Sequence, residues 1–165
     1  MKNIKDLRKK VITICCSAAF FKDAIEIGKE LKKLGFKVKM PKTALIMKRA
    51  DDFDVSHYKT WFDNRDDYKL KRDLMKGHFR KVIEADAMLV LNYKKNKIPG
   101  YIGGNVLMEA ALAFHYKKPI FIYNEISDRL NVAEEVYGLN PIFINKDLNL
   151  IAEKLNSRIK TKKPS

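Results

Sequence analysis

Three short apolar runs constrain this chain more than anything else in it: Val11–Cys16 (VITICC), Ala87–Leu91 (AMLVL) and residues 119–123 (PIFIY). None alternates polar with apolar residues, so each predicts a strand buried on both faces. Such strands need helices above and below the sheet, and the segments between them carry helical patterns. Residues 18–34 place Phe21, Ala24, Ile25, Ile27, Gly28, Leu31 and Leu34 at helical spacing, with Lys22, Asp23, Glu26, Lys29, Glu30 and Lys33 on the other face. Gly35 is a helix stop. Residues 36–40 alternate as a half-exposed strand, and Pro41 ends it.

The same reading predicts helices over 73–85, 105–116, 130–137 and 148–159, and a last short strand over 141–144. Strands alternating with helices imply parallel pairing through right-handed crossovers. The expected fold class is therefore α/β, a three-layer flavodoxin-like or Rossmann-like open parallel sheet of about five strands. A chain of 165 residues without internal repeat or linker is expected to be a single domain, 1–165. One segment, 42–68, breaks the rhythm, because connections in such folds run about 2–6 residues. It holds Phe53, Tyr58, Tyr68, Phe62 and the only tryptophan, Trp61, together with six aspartates. It is expected to be a long loop: a surface excursion packed by its own aromatics, a lid, or a dimer contact.

Composition bounds the setting. No apolar run reaches the ~20 residues of a membrane span, and residues 1–10 lack the apolar stretch of a signal peptide. The only two cysteines, Cys15 and Cys16, are neighbours in an apolar run and read as reduced core residues. A cytoplasmic protein with no membrane association is expected. The net charge of +14 raises the question of nucleic acid. Only 7 of the 34 basic residues are arginine, and the lysines are spread and mixed with acids. That pattern fits a solvated surface, with no specific nucleic-acid partner. Residues 159–165 read as a basic tail.

The sharpest local feature is Glu109. It is the only charged residue between Ile98 and Tyr116, and the apolar helix around it predicts burial on nearly all sides. A carboxylate there needs partners. Near the start of its helix it leans back toward the loop after the third strand, where this fold class binds ligands. Gly103, Gly104 and Asn105 precede it, small residues that let a ligand approach free N–H groups. Glu109 either bonds backbone N–H groups of its own helix start or serves as a functional carboxylate. Ser17, ending the first strand, is a helix N-cap, a ligand contact, or both. Of Phe20 and Phe21, one faces the core and the other is free to stack on a planar ligand. Asn92, just past the third strand, is a further candidate contact. No cluster has metal-ligand spacing, no Walker or dinucleotide motif is present, and neither metal nor cofactor is expected.

Three stretches together resemble the nucleoside 2-deoxyribosyltransferase superfamily, including its deoxynucleoside 5′-monophosphate N-glycosidase branch. Residues 15–21 (CCSAAFF) look like the family's small-residue loop after the first strand. Residues 78–91 (HFRKVIEADAMLVL) look like its helix leading into an Ala-Asp strand. Residues 103–118 look like its glycine-rich turn, nucleophilic glutamate and small-residue helix. The resemblance implies Glu109 as a nucleophile attacking a deoxyribose, and a nucleoside or nucleotide as the ligand. It implies Gly103, Gly104 and Asn105 at the sugar or its 5′ group, Ser17 at the 5′ side and Phe20 beside the base. It also implies a homodimer or higher homo-oligomer. His78 stands where the family has an aspartate touching the base, and a histidine there can protonate a leaving base. Cys15 or Cys16 stands where a tyrosine often sits. Asp86 matches a family aspartate but precedes its strand, as a helix-end contact would. A non-catalytic module that binds a nucleotide-like ligand, or signals, through the same crevice is the alternative.

Overall fold

A computed structural model of the chain describes residues 10–161, and in the last turn, 158–161, the backbone alone. The apolar runs form strands. β1 (Val11–Cys16), β2 (Lys37–Lys39), β3 (Ala87–Leu91), β4 (Ile120–Ile122) and β5 (Ile142–Phe143) make one sheet in the order β2-β1-β3-β4-β5. Every pairing is parallel. β1 and β3 carry the longest register, from Ile12↔Ala87 to Cys16↔Leu91. The chain is thus a flavodoxin-like α/β sheet, and its strand order reverses between β1 and β3. That reversal opens a crevice at the carboxyl ends of these two strands.

Helices cover both faces. α1 (Phe21–Lys33), α2 (Lys42–Ala50), α3 (Tyr68–Glu84), α4 (Gly104–His115), α5 (Ala133–Gly138) and α6 (Asn149–Thr161) follow in chain order. The strands sort their side chains by parity. Ile12, Ile14, Cys16, Leu89 and Leu91 pack with α1, α2 and α6, whereas Cys15, Met88, Val90, Ile120 and Ile122 pack with α3, α4 and α5. Each aliphatic side chain fully buried in these two layers contributes about 1.5–3 kcal/mol. α1 ends as its glycine requires. Gly35 adopts φ 98°, its N–H reaches the Lys32 carbonyl, and Phe36 N–H reaches that of Leu31. This Schellman closure buries Phe36 beside Leu31 and aims the chain into β2.

Three sequence expectations are corrected. Segment 42–68 is not a loop. It contains α2 and three single 3-10 turns, Val55–His57, Thr60–Phe62 and Arg65–Asp67, which run into α3. α3 begins at Tyr68 rather than at residue 73, because its first turn exposes Tyr68 and Leu70 and so has no amphipathic signature. α4 is not buried on all sides: Val106, Glu109, Ala110 and Ala113 face inward, while Met108 and Phe114 are exposed. The expected tail is helical up to Thr161, and 162–165, like residues 1–9, lie outside the described residues. Among the described residues no helix is long and apolar enough to cross a membrane. Asp86 closes the far end of the sheet, accepting from Lys10 Nζ and Val11 N–H at 2.8 Å each.

Candidate functional site

A cavity of about 270 Å³ lies at the carboxyl end of β1, walled by the β1–α1 loop, α2, the 3-10 turns, α3 and the start of α4. Glu109 forms part of its wall and is only 2% exposed. Burial alone disfavours the carboxylate and raises its pKa to about 7, against hydrogen bonds and the charge of Lys71, which pull it down. The carboxylate does not turn to the N–H groups of its own helix start. Asn105, one turn earlier, donates its amide Nδ2 to Oε1 at 2.5 Å, and Lys71 Nζ donates to Asn105 Oδ1 at 2.9 Å. The ammonium, a pure donor, fixes which end of the Asn105 amide faces Glu109. The relay Lys71–Asn105–Glu109 joins α3 to α4.

His78, from the middle of α3, also lines the cavity and is buried beside Glu109, its Nε2 3.7 Å from Oε2 and 3.2 Å from Cys15 Sγ. Burial first, and the nearby Lys81 charge second, lower its pKa to about 4. At neutral pH the imidazole is therefore neutral. Its Nδ1 has no hydrogen-bond partner among the described residues. Burial, with the Glu109 charge, pushes the Cys15 thiol up, so that sulfur keeps its proton. Chain spacing hid this trio. The ligating atoms of Cys15, His78 and Glu109 lie within 4.8 Å of one another. All three are buried, and the trio forms one polar cluster at the cavity wall.

The other expected residues divide. Gly103, Gly104 and Asn105 line the cavity with Ser17. Gly103 begins α4 without a side-chain cap, so the first N–H groups of the helix are left for a ligand or water. A Cβ placed on Gly104 would meet nothing within 4 Å, so this glycine leaves open space rather than accommodating a packed neighbour. Ser17 does not cap a helix with its side chain; its Oγ accepts from Lys95 Nζ at 2.8 Å. Phe20 is core, edge-on to Tyr93 at 5.4 Å between ring centroids, and Phe21 borders the cavity instead. Asn92 is fully buried and occupied by the next loop: its Nδ2 donates to the Asn124 carbonyl and its Oδ1 accepts from Asn124 N–H, both at 2.8 Å. It ties the loops after β3 and β4 and does not line the cavity.

Sequence reading missed the cations. Lys42, Lys59, Lys71 and Lys95 all line the cavity, with Trp61, Tyr58 and Tyr101. In a chain with so many lysines no local pattern marks these four. Lys95 is placed by a tight turn. Asn96 and Lys97 take left-handed φ of 51° and 62°, and Lys95 and Ile98 exchange backbone hydrogen bonds of 3.1 and 2.9 Å.

No protein-family model matches the chain, and no curated protein matches it. The site therefore stands on its own geometry.

Proposed function

We propose that this protein cleaves or transfers at the N-glycosidic bond of a nucleoside, deoxynucleoside or nucleotide, with Glu109 as nucleophile. The observation that carries the reading is the Glu109 carboxylate itself: buried, bounded by donors, and bordering a cavity at the strand-order reversal of a parallel sheet. The resemblance to the nucleoside 2-deoxyribosyltransferase superfamily supplies the reaction class. The carboxylate oxygen attacks the anomeric carbon, the carbon–nitrogen bond breaks, and the base leaves with the electron pair. Water or a second base then displaces the carboxylate, and two inversions give retention. Asn105 holds Oε1, and Oε2, 3.7 Å from His78 Nε2, is the oxygen we assign to attack. We read His78 as acting on the nucleophile in place of the expected acid role. Neutral at physiological pH and pressed against Glu109, it is a positioning residue for the nucleophile.

Only the ionised carboxylate attacks, so base release should rise with pH below about 7 and level off above it. Glu109→Gln tests the assignment. The amide keeps shape but is a far poorer nucleophile, so release of free base from a panel of nucleosides and 5′-nucleotides should be lost while binding persists. Full activity in the variant would remove Glu109 as nucleophile. Binding without cleavage by the unmodified protein would leave the non-catalytic module as the function. We further infer a cytoplasmic setting, which suits two buried free thiols. We also infer a homo-oligomer, supported by the exposed apolar residues Met108 and Phe114 on α4.

A further inference from the structure

The wall of the cavity is electrically lopsided. It carries four ammonium groups, Lys42, Lys59, Lys71 and Lys95, and one carboxyl, Glu109, that burial holds partly protonated at neutral pH. Among the described residues none of the four lysines pairs with a carboxylate. The two that make hydrogen bonds use neutral acceptors: Lys71 the amide of Asn105 and Lys95 the hydroxyl of Ser17. Their charges are therefore steadied but not neutralised. They also crowd one another, since Lys59 acts on both Lys71 and Lys95, whose ammonium forms burial already disfavours. Aromatic rings flank two of them, Trp61 at 5.8 Å from Lys71 Nζ and Tyr101 at 5.0 Å from Lys95 Nζ.

Hydrogen bonds link Glu109, Asn105 and Lys71 on one side of the cavity and Lys95 with Ser17 on another, and Lys59, on the same wall, acts through its charge on both Lys71 and Lys95. The uncapped start of α4 adds its N–H groups beside Asn105, and Gly104 leaves the wall open there. Unpaired cations partly withdrawn from water are costly, and an anion in the cavity removes that cost. The amount of charge matters. A single phosphate ester brings about −1.5 to −2 at neutral pH, which offsets two of these ammonium groups and leaves the other two uncompensated.

We propose that the cation arc from Lys71 through Lys59 to Lys95 is a subsite for a chain of two or more phosphates, so that the ligand is a nucleoside di- or triphosphate with its sugar at Glu109. This rests on the glycosidic reading for the sugar end alone; the phosphate end stands on the lysines. The arc binds phosphate oxygens, Ser17 and the α4 N–H groups complete the cradle, and the aromatic rings border the same cavity.

The experiment uses the Glu109→Gln protein, in which ligands are not consumed, and calorimetry at physiological salt. The probes are the ribo- and deoxyribonucleosides of the common bases, their 5′-mono-, di- and triphosphates, and inorganic pyrophosphate alone. In the best-binding base series the dissociation constant should fall roughly tenfold to a hundredfold from mono- to diphosphate, the range for added hydrogen bonds to charged groups. Pyrophosphate alone should bind at least tenfold more weakly than that diphosphate. Lys59→Gln and Lys95→Gln should each erase most of the gain and leave affinity for the unphosphorylated nucleoside unchanged. Gly104→Ala, which meets no protein atom within 4 Å, should keep the melting temperature and weaken every phosphorylated ligand. Equal affinity for mono- and diphosphates in every series overturns the proposal. So does pyrophosphate binding as tightly as the nucleotide, or no nucleotide binding. Base release by the unmodified protein is scored separately. Cleavage without diphosphate preference sinks the subsite alone, and diphosphate preference without cleavage sinks the glycosidic reading alone.

Discussion

Glu109 and His78 titrate abnormally for one reason, burial, and the consequences for stability run in opposite directions. A carboxyl raised from 4.5 to about 7 costs the fold nothing below pH 4.5, where folded and unfolded chains both hold the proton. Between pH 4.5 and 7 the unfolded chain ionises first, so stability is lost as pH rises, and above 7 the full cost remains. An imidazole lowered from 6.5 to about 4 does the reverse: its contribution is whole above 6.5 and is lost as pH falls toward 4. The two slopes overlap and partly cancel in the unmodified protein. Glu109→Gln should therefore be more stable than the parent at pH 8, by on the order of a few kcal/mol, and the gain should vanish near pH 4.5. Denaturant unfolding at pH 4.5, 6 and 8 reads this. A gain independent of pH would mean that Glu109 ionises as an ordinary surface acid. Under the proposed function this instability is the cost of keeping a reactive carboxylate dry. At this scale the sequence was informative about Glu109, because a single charge in a long neutral stretch is visible without a structure. It was silent about its partners. Asn105 is one helical turn away, but Cys15, Lys71 and His78 come from other elements and meet Glu109 only when α3 and α4 pack against β1.

Strands of the sheet, and α4, were legible to within a residue or two, and the segment 42–68 that walls the cavity was not. VITICC and AMLVL have no charged residue, and Thr13 is their one polar side chain, so β1 and β3 match them end to end. In α2, by contrast, only Ala44 and Met47 are buried while Leu45 and Ile46 face out, so its period is blurred. The aspartates that follow look like loop composition. Two of them, with Asn64, instead make local caps: Asp52 accepts from Asp54 N–H, Asp54 from Ser56 N–H, and Asn64 from Asp66 N–H, at 2.9, 2.9 and 3.1 Å. These caps hold the turns on either side of the one that carries Trp61, 7% exposed and in the cavity wall. Because Trp61 is the only tryptophan, its fluorescence reports on this wall alone. Adding a ligand that fills the cavity should change its intensity or emission maximum with the same midpoint as calorimetry, and also slow proteolysis within 42–68. Unchanged emission on saturation by a ligand that calorimetry shows to bind would place the bound state away from this segment.

The whole molecule adds a constraint that neither residue nor element shows. Its net charge is +14, and the same charge governs two kinds of association with opposite dependence on salt. Two copies repel each other, so pairing through an apolar face works against electrostatics. α4 offers such a face, with Met108, Ala111 and Phe114 three residues apart on the side turned from the sheet. Added salt screens the repulsion and leaves apolar burial intact, so self-association through this face should strengthen from 50 to 300 mM salt. Binding to nucleic acid should do the reverse. Lysines scattered over a surface bind phosphates without reading bases, and each contact releases a counterion, so affinity for any duplex should fall steeply over the same range with no preference for sequence. Sedimentation of the protein alone and with a mixed-sequence duplex, across one salt series, measures both slopes. Phe114→Asp should abolish the first and leave the second nearly unchanged, since one carboxylate alters the total charge little. A dimer that dissociates as salt rises would mean that ion pairs, not α4, hold the copies together. Tight duplex binding that persists at 300 mM salt would mean that the lysines form an organised nucleic-acid surface.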